Sequence, residues 1–156
     1  MNDEDISIIS DAGTPAISDP AYKLVRAAIK EDITVESIPG PSSFICALTT
    51  SGLPTDRFIF EGFLPPKKGR IAILKDLSLF NGTVIFFENP KRLNRTLKDI
   101  LNTFGERPCV IARELTKMHE EIIRGTITQI LNSIDTMTLK GEMVILIGKD
   151  NKNVYF

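Results

Sequence analysis

Sulfur and imidazole are scarce in this chain, with two cysteines and one histidine among 156 residues. Cys46 and Cys109 stand in apolar segments without CxxC or His-rich spacing. That pattern argues against a disulfide framework or a zinc site and fits a reducing, cytoplasmic setting. The single His119 reads as a surface residue, and no Ser-His-Asp or metal constellation can be assembled from the spacing. Long apolar runs are missing, so no segment has the length of a membrane span. The opening Met1-Asn2-Asp3-Glu4-Asp5 is acidic and lacks the basic start of a secretory signal. A Walker A loop and a GxGxxG fingerprint are also absent, which disfavours a nucleoside triphosphate or a dinucleotide. There is no internal repeat and no low-complexity tract.

What is present is an ordinary globular composition, 42% apolar and 25% charged, sized for one domain or two small lobes. The net charge of −1 conceals a division. Residues 1 to 56 hold nine acidic and three basic side chains, a net −6, whereas residues 57 to 156 hold eleven and sixteen, a net +5. A polyanionic partner for the second part and two solvated lobes both account for that asymmetry.

Strand and helix signals alternate, which predicts an α/β fold. Ile6 to Ile9 and Ile33 to Ile38 read as short strands. Between them, Asp19-Pro20 reads as N-cap and first turn of a helix with Leu24, Val25, Ala28 and Ile29 on one face. A second helix opens at "PGPSS" and runs through Phe44, Ile45 and Leu48, and "TSGLPTD", 50 to 56, reads as a linker. Beyond it, Arg57 to Phe63 alternates as a strand, placing Phe58, Phe60 and Gly62 opposite Ile59, Glu61 and Phe63. A basic loop, "LPPKKGR", leads into a helix over 71 to 80, and Thr83 to Phe87 is a strand. Asn89-Pro90 caps a helix whose apolar face is Leu93, Leu97, Ile100, Leu101 and Phe104, ended by Gly105. Strands follow at Cys109 to Ala112 and Glu120 to Arg124, then a capping box at Thr126-Ile127-Thr128-Gln129. Glu142 to Ile147 is a last strand, and the tail from Lys149 onward frays.

Two glycine-bearing turns stand out at strand ends, "SDAGTPAISDP" (10 to 20) and "PGPSS" (39 to 43). Loops between a strand's C-terminal end and a helix start are where open α/β sheets bind ligands. Gly13 permits close backbone approach, Pro15 holds the turn and Thr14 offers a hydroxyl. Each is equally readable as a tight turn and nothing more. Three charged clusters complete the inventory: "ENPKR" (88 to 92), "ARELTKMHEE" (112 to 121) and "PPKKGR" (65 to 70). Solvated charge is the plain reading of each, although strand-end positions favour ligand contact.

The strings "SDAGTPAISDP", "IPGPSS", "SGLPTDRFIFEGFLPPKKG", "FFENPKR" and "ARELTKMHEEIIRGT", in that order from about Ile6 to Ile147, resemble the ribosomal RNA small subunit methyltransferase I family. That family lies within the tetrapyrrole methylase superfamily of S-adenosylmethionine-dependent enzymes. The resemblance implies a two-lobed class III methyltransferase fold, usually homodimeric, with S-adenosyl-L-methionine folded in the cleft between lobes. It implies methylation of the 2′-hydroxyl of a cytidine in 16S rRNA of the 30S subunit, in the cytoplasm, without a metal. Cofactor contacts are implied for Asp11, Gly13, Thr14, Pro15, Ile17, Pro39, Gly40, Ser42, Ser43, Leu115 and Thr116. Catalytic or orienting roles fall to Glu88, Arg113 and Glu114, and RNA contacts to Lys67, Lys68, Arg70, Lys91, Arg92, Arg95 and Lys117.

Members of the family begin with a further strand, a "TPIGN"-like loop and an "AEDTR"-like segment, which have no counterpart before Ile6. The expected organisation is therefore an incomplete N-terminal lobe over 1–52, a C-terminal α/β lobe over 57–150 and a tail over 151–156. Weak cofactor binding and poor turnover by this polypeptide alone follow as expectations. Two rival readings stand beside it. One is a C-methylase of a porphyrin precursor, and the other is a non-catalytic piece that dimerises or holds RNA.

Overall fold

A computed structural model describes residues 4–150, so the expected tail from residue 151 lies outside the described residues. The chain divides into two compact units, Met1–Ser42 and Ser43–Phe156.

The first unit carries one helix, α1 (Tyr22–Lys30). Neither expected strand forms, since residues 6–9 and 33–38 join no ladder. Extended backbone becomes a strand only when a neighbour pairs with its N–H and C=O groups, and the described residues of this unit supply no such neighbour. Ile6 and Ile9 accordingly stand 84% and 89% exposed. The expected Asp19 cap is replaced by Ala21, whose carbonyl accepts from Leu24 and Val25 N–H at 2.8 and 3.0 Å. At the other end Asp32 takes the left-handed conformation (φ 53°), and Asp32 and Ile33 N–H return to the Ile29 and Ala28 carbonyls at 3.2 and 3.0 Å. That is a Schellman closure with aspartate where glycine is usual.

The second unit is a five-stranded mixed sheet in the order β1-β2-β5-β3-β4, from β1 (Phe58–Phe63), β2 (Thr83–Glu88), β3 (Pro108–Arg113), β4 (Glu121–Thr126) and β5 (Met143–Ile147). β1 and β2 are parallel, and every other pairing is antiparallel. The helices α3 (Arg70–Ser78), α4 (Leu93–Phe104) and α5 (Ile127–Ser133) pack the larger core, on Val84, Phe86, Ile111 and Ile145. The opposite sheet face, with Ile85, Val110, Val144 and Leu146, packs Ala47 and Leu48 of α2 (Ser43–Ser51). Alternate strand residues feed opposite faces, which is why the central strands β2, β3 and β5 read as continuous apolar runs.

The predicted starts and stops hold in this unit. Asn89 accepts from Lys91 N–H and opens a single 3-10 turn before α4, and the capping box at Thr126 and Gln129 forms in both directions. Two details differ. A bulge between Phe60 and Gly62, with Gly62 at φ 73°, turns Phe63 to the same neighbour as Phe60. Both rings meet Phe87, at centroid distances of 5.4 and 4.8 Å. The expected linker 50–56 is pinned into the second unit. Ser51 and Leu53 are buried, Arg124 Nε donates to the Ser51 carbonyl at 3.0 Å, and Thr83 Oγ1 donates to the Pro54 carbonyl at 2.7 Å. Because α2 closes one face of the sheet, the division between units falls before it and not after. No helix among the described residues is long and apolar enough to cross a membrane.

Candidate functional site

In the first unit the two glycine-bearing turns meet even though the strands expected to present them do not form. Thr14 Oγ1 donates to the Pro41 carbonyl at 2.8 Å. Gly13 lies at φ +75°, a conformation that L side chains avoid, and a Cβ there would meet the same oxygen at an ordinary contact distance of 3.8 Å. Ser10 Oγ donates to the Gly13 carbonyl at 2.8 Å, and Ile17 N–H closes on the Thr14 carbonyl at 3.4 Å. Ala16 and Ser18 also hold positive φ, at 71° and 59°. Non-glycine residues pay for that conformation, and such outliers gather at functional loops. Asp11, Pro39, Gly40 and Ser43 are exposed and Pro15 is half-buried. Ser42 Oγ is buried and has no hydrogen-bond partner among the described residues.

In the second unit the ladder registers put Glu88, Met143, Arg113 and Glu121 in one row across four strands. The loops leaving that end are 64–69, 89–92, 114–120 and the approach to β5. All the second-lobe candidates read from sequence therefore gather at one edge. Their side chains are not equally free.

Glu88 is 2% exposed. One carboxylate oxygen accepts from Asn89 N–H at 2.7 Å and is ion-paired with Arg92 Nη2 at 2.8 Å, and the other accepts from Thr96 Oγ1 at 2.5 Å. A carboxylate so engaged organises the strand end. Arg70, expected on the RNA side, is 2% exposed and is corrected to an internal cation. Its Nε donates to Asp99 Oδ2 at 2.8 Å, Nη2 to Thr96 Oγ1 at 2.6 Å and Nη1 to the Pro65 carbonyl at 3.3 Å. Arg92, also expected to meet RNA, is committed to Glu88, while its Nε is buried without a partner among the described residues. Arg113 is nearly buried and its Nε donates to Glu121 Oε2 at 3.0 Å. Lys67, Lys68 and Lys91 are exposed and form no ion pair among the described residues. The exposed Arg95 lies 3.8 Å from Asp99.

Loop 114–120 is tightly drawn. Glu114 and Thr116 have φ of 49° and 64°. Glu114 Oε1 accepts from Glu142 N–H at 2.8 Å and from Lys117 Nζ at 3.1 Å. The hydrogen bond from Glu142 N–H, then that from Lys117, holds the Glu114 carboxyl below the usual glutamate range, and the Glu142 and Glu114 carboxylates raise Lys117. Thr116 N–H donates to Glu120 Oε2, and Leu115 packs on the α2 side of the sheet. Gly141 and Glu142, which complete this cluster, carry no site signal in the sequence. They lie 20 and 21 residues beyond the end of the motif at Glu121, with Glu142 at the start of the expected last strand.

The family model for tetrapyrrole (corrin/porphyrin) methylases matches residues 2–131. The chain belongs to that family. Among curated proteins, a tetrapyrrole methylase relative from Thermotoga maritima, ribosomal RNA small subunit methyltransferase I, is 46% identical over 93% of this chain and 66% of its own length. The protein of that name from a Hydrogenobaculum species is 47% identical over 96% of this chain and 65% of its own length. That from Halalkalibacterium halodurans is 46% identical, with 52% of its length covered. The chain thus spans between about half and just under two thirds of these relatives. Among solved structures, a cobalt-precorrin-4 methyltransferase of cobalamin biosynthesis matches with a TM-score of 0.65 at 21% identity, over 87% of this chain and 61% of that one. A uroporphyrin-III C-methyltransferase from Thermus thermophilus in complex with S-adenosylhomocysteine matches with a TM-score of 0.60 at 17% identity, over 88% and 63%. At such identities the solved structures establish the tetrapyrrole-methylase fold, and not the substrate.

Proposed function

We propose that the whole protein to which these residues belong is an S-adenosylmethionine-dependent methyltransferase acting on the 2′-hydroxyl of a cytidine ribose in 16S rRNA. The observation that carries this reading is the 46% and 47% identity to ribosomal RNA small subunit methyltransferase I over 93% and 96% of the chain. The first-unit turns fit a polar cofactor on one structural ground. Ser42 Oγ is buried without a partner beside two bends that Thr14 ties together, and a bound hydrogen-bonding group would satisfy it. On this reading Asp11, Gly13, Thr14, Pro15 and Ile17, with Pro39, Gly40, Ser42 and Ser43, hold the cofactor.

When bound, S-adenosylmethionine supplies a methyl group already activated on a sulfonium, so no covalent enzyme intermediate is needed. The residues of the chain then have to bind, orient and exclude water. Exposed Lys67, Lys68 and Lys91 grip phosphates, and Arg113, steadied by Glu121, orients the acceptor strand. The target nucleotide is splayed from its neighbours, as sequence-specific RNA recognition generally requires. The acting form is a cytoplasmic homodimer that uses no metal.

The test is to incubate 30S subunits with methyl-labelled S-adenosylmethionine and the whole protein, then hydrolyse the RNA in alkali. A 2′-O-methyl group protects the adjoining phosphodiester, so label should appear in an alkali-stable dinucleotide that begins with cytidine. Label on a base, or none on RNA alongside label on a porphyrin precursor, would refute the proposal.

A further inference from the structure

We infer that Glu114 is a positioning residue, the clasp of loop 114–120, with Gly141 as the space it closes into and Glu142 as its catch. This inference rests on the functional reading above and replaces the catalytic role expected for Glu114 from the sequence.

Three observations carry it. First, the contact between Glu114 and Glu142 runs both ways: Glu114 N–H donates to the Glu142 carbonyl at 3.0 Å, and Glu142 N–H donates to Glu114 Oε1 at 2.8 Å. The same oxygen holds Lys117 Nζ, which also reaches Glu142 Oε2 at 3.0 Å. One oxygen of the carboxylate therefore holds both the main chain of β5's approach and a cation, which favours the ionised form and weakens it as a proton acceptor. Second, the loop it closes is held in conformations that L residues avoid, at both Glu114 and Thr116. Such backbone persists only when surrounding contacts fix it. The contacts here are those of Glu114, the Lys117 N–H to Glu114 carbonyl bond at 3.0 Å and the Glu120 N–H to Lys117 carbonyl bond at 3.1 Å. Third, Gly141 is shaped for the clasp. A Cβ there would lie 2.4 Å from Glu114 Cδ and 2.4 Å from Oε1, with the backbone at φ +82°. What it would strike is the end of a flexible side chain, so an added methyl group would push the carboxylate off its catch, on top of the backbone strain that any side chain meets at this φ.

Hydrogen–deuterium exchange of the 156-residue chain reads the clasp directly at the amides of Lys117, Glu120 and Glu142. Glu114→Ala should speed their exchange at least tenfold, while Glu114→Gln, which keeps a carbonyl oxygen for Glu142 N–H, should restore most of the protection. Gly141→Ala should match Glu114→Ala, and the two together should add little to either alone. Amides of the central strands serve as the internal control for folding, and if Gly141→Ala does not fold, the Ala and Gln variants at Glu114 decide the matter. Equal exchange in wild type and Glu114→Ala, or Gln behaving as Ala, overturns the inference. In the RNA-labelling assay, Glu114→Gln should lower methyl transfer by about three- to tenfold, since positioning is weakened but kept. A fall of a hundredfold or more, the scale of a lost general base, also overturns it. A wild-type protein that labels no RNA ends the functional reading and leaves the exchange pattern to judge the clasp.

Discussion

Replacing Arg70 by methionine separates a structural cation from an RNA-binding one. The side chain lies at the start of α3 and reaches across to α4 and the end of β2. It donates to Asp99, Thr96 and Pro65, and its Nη1 is 3.8 Å from Glu88 Oε2. Methionine keeps most of the volume and removes the charge and all three donations. Stripping one partner from a buried ion pair costs about 3–5 kcal/mol. The lower end applies here, because Asp99 is partly exposed and Glu88 keeps Arg92, Thr96 and the Asn89 N–H. A loss of about 3 kcal/mol at a urea slope near 2 kcal/mol/M lowers the unfolding midpoint by about 1.5 M. Thr96→Val, which removes the hydroxyl shared by Arg70 and Glu88, should be less than additive with it, since the two act in one network. Urea titration followed by circular dichroism measures both. RNA binding supplies the complementary reading. Arg70→Met protein that remains folded should keep the salt dependence of binding, whereas Lys67→Ala and Lys68→Ala should each reduce the slope by about one. A midpoint shift below about 0.3 M together with a reduced salt slope would refute the assignment of Arg70 to the interior.

Gly82→Ala should destabilise by about 1–3 kcal/mol, because a Cβ there would lie 2.4 Å from the Arg57 carbonyl, and thermal unfolding would show it. Burial pushes the Cys109 thiol far up, so it should stay unreactive to a disulfide reagent until the protein unfolds, while the half-buried Cys46 reacts in the native state. The Glu114 clasp should be fully formed above the ordinary glutamate pKa of about 4.3. It should be lost as pH falls through the depressed folded value, since a carboxyl lowered on folding stabilises only when ionised. Lys117 sets the opposite limit: its raised value supports the clasp below about pH 10.4, and that support fades as pH rises through the folded value. Exchange rates of the Glu142 amide across pH, corrected for intrinsic exchange, test both ends.

The second unit was legible because its local signals agree with its packing. Asn89, Thr126, Gln129 and Gly105 bound helices at the predicted places, and apolar runs became β2, β3 and β5. The first unit was legible in its turns and not in its strands. A turn is decided within a few residues, so Ser10 closes on the Gly13 carbonyl and Ile17 on that of Thr14. A strand depends on a neighbour that periodicity does not name. The same distinction governs the site. Sequence placed Glu88, Arg70, Arg113 and Glu114 in loops that do converge on one sheet edge, because strand ends can be counted. It could not say which charges would be turned inward. That depends on partners 26 to 29 residues away for Arg70, at Thr96 and Asp99, and 28 residues away for Glu114, at Glu142. Charge at a strand end is therefore a sound guide to which residues gather at one end of the sheet and a poor guide to which of their side chains stay exposed. At this end buried Glu88, Arg70 and Arg113 build the frame, and the lysines at 67, 68 and 91 stay exposed.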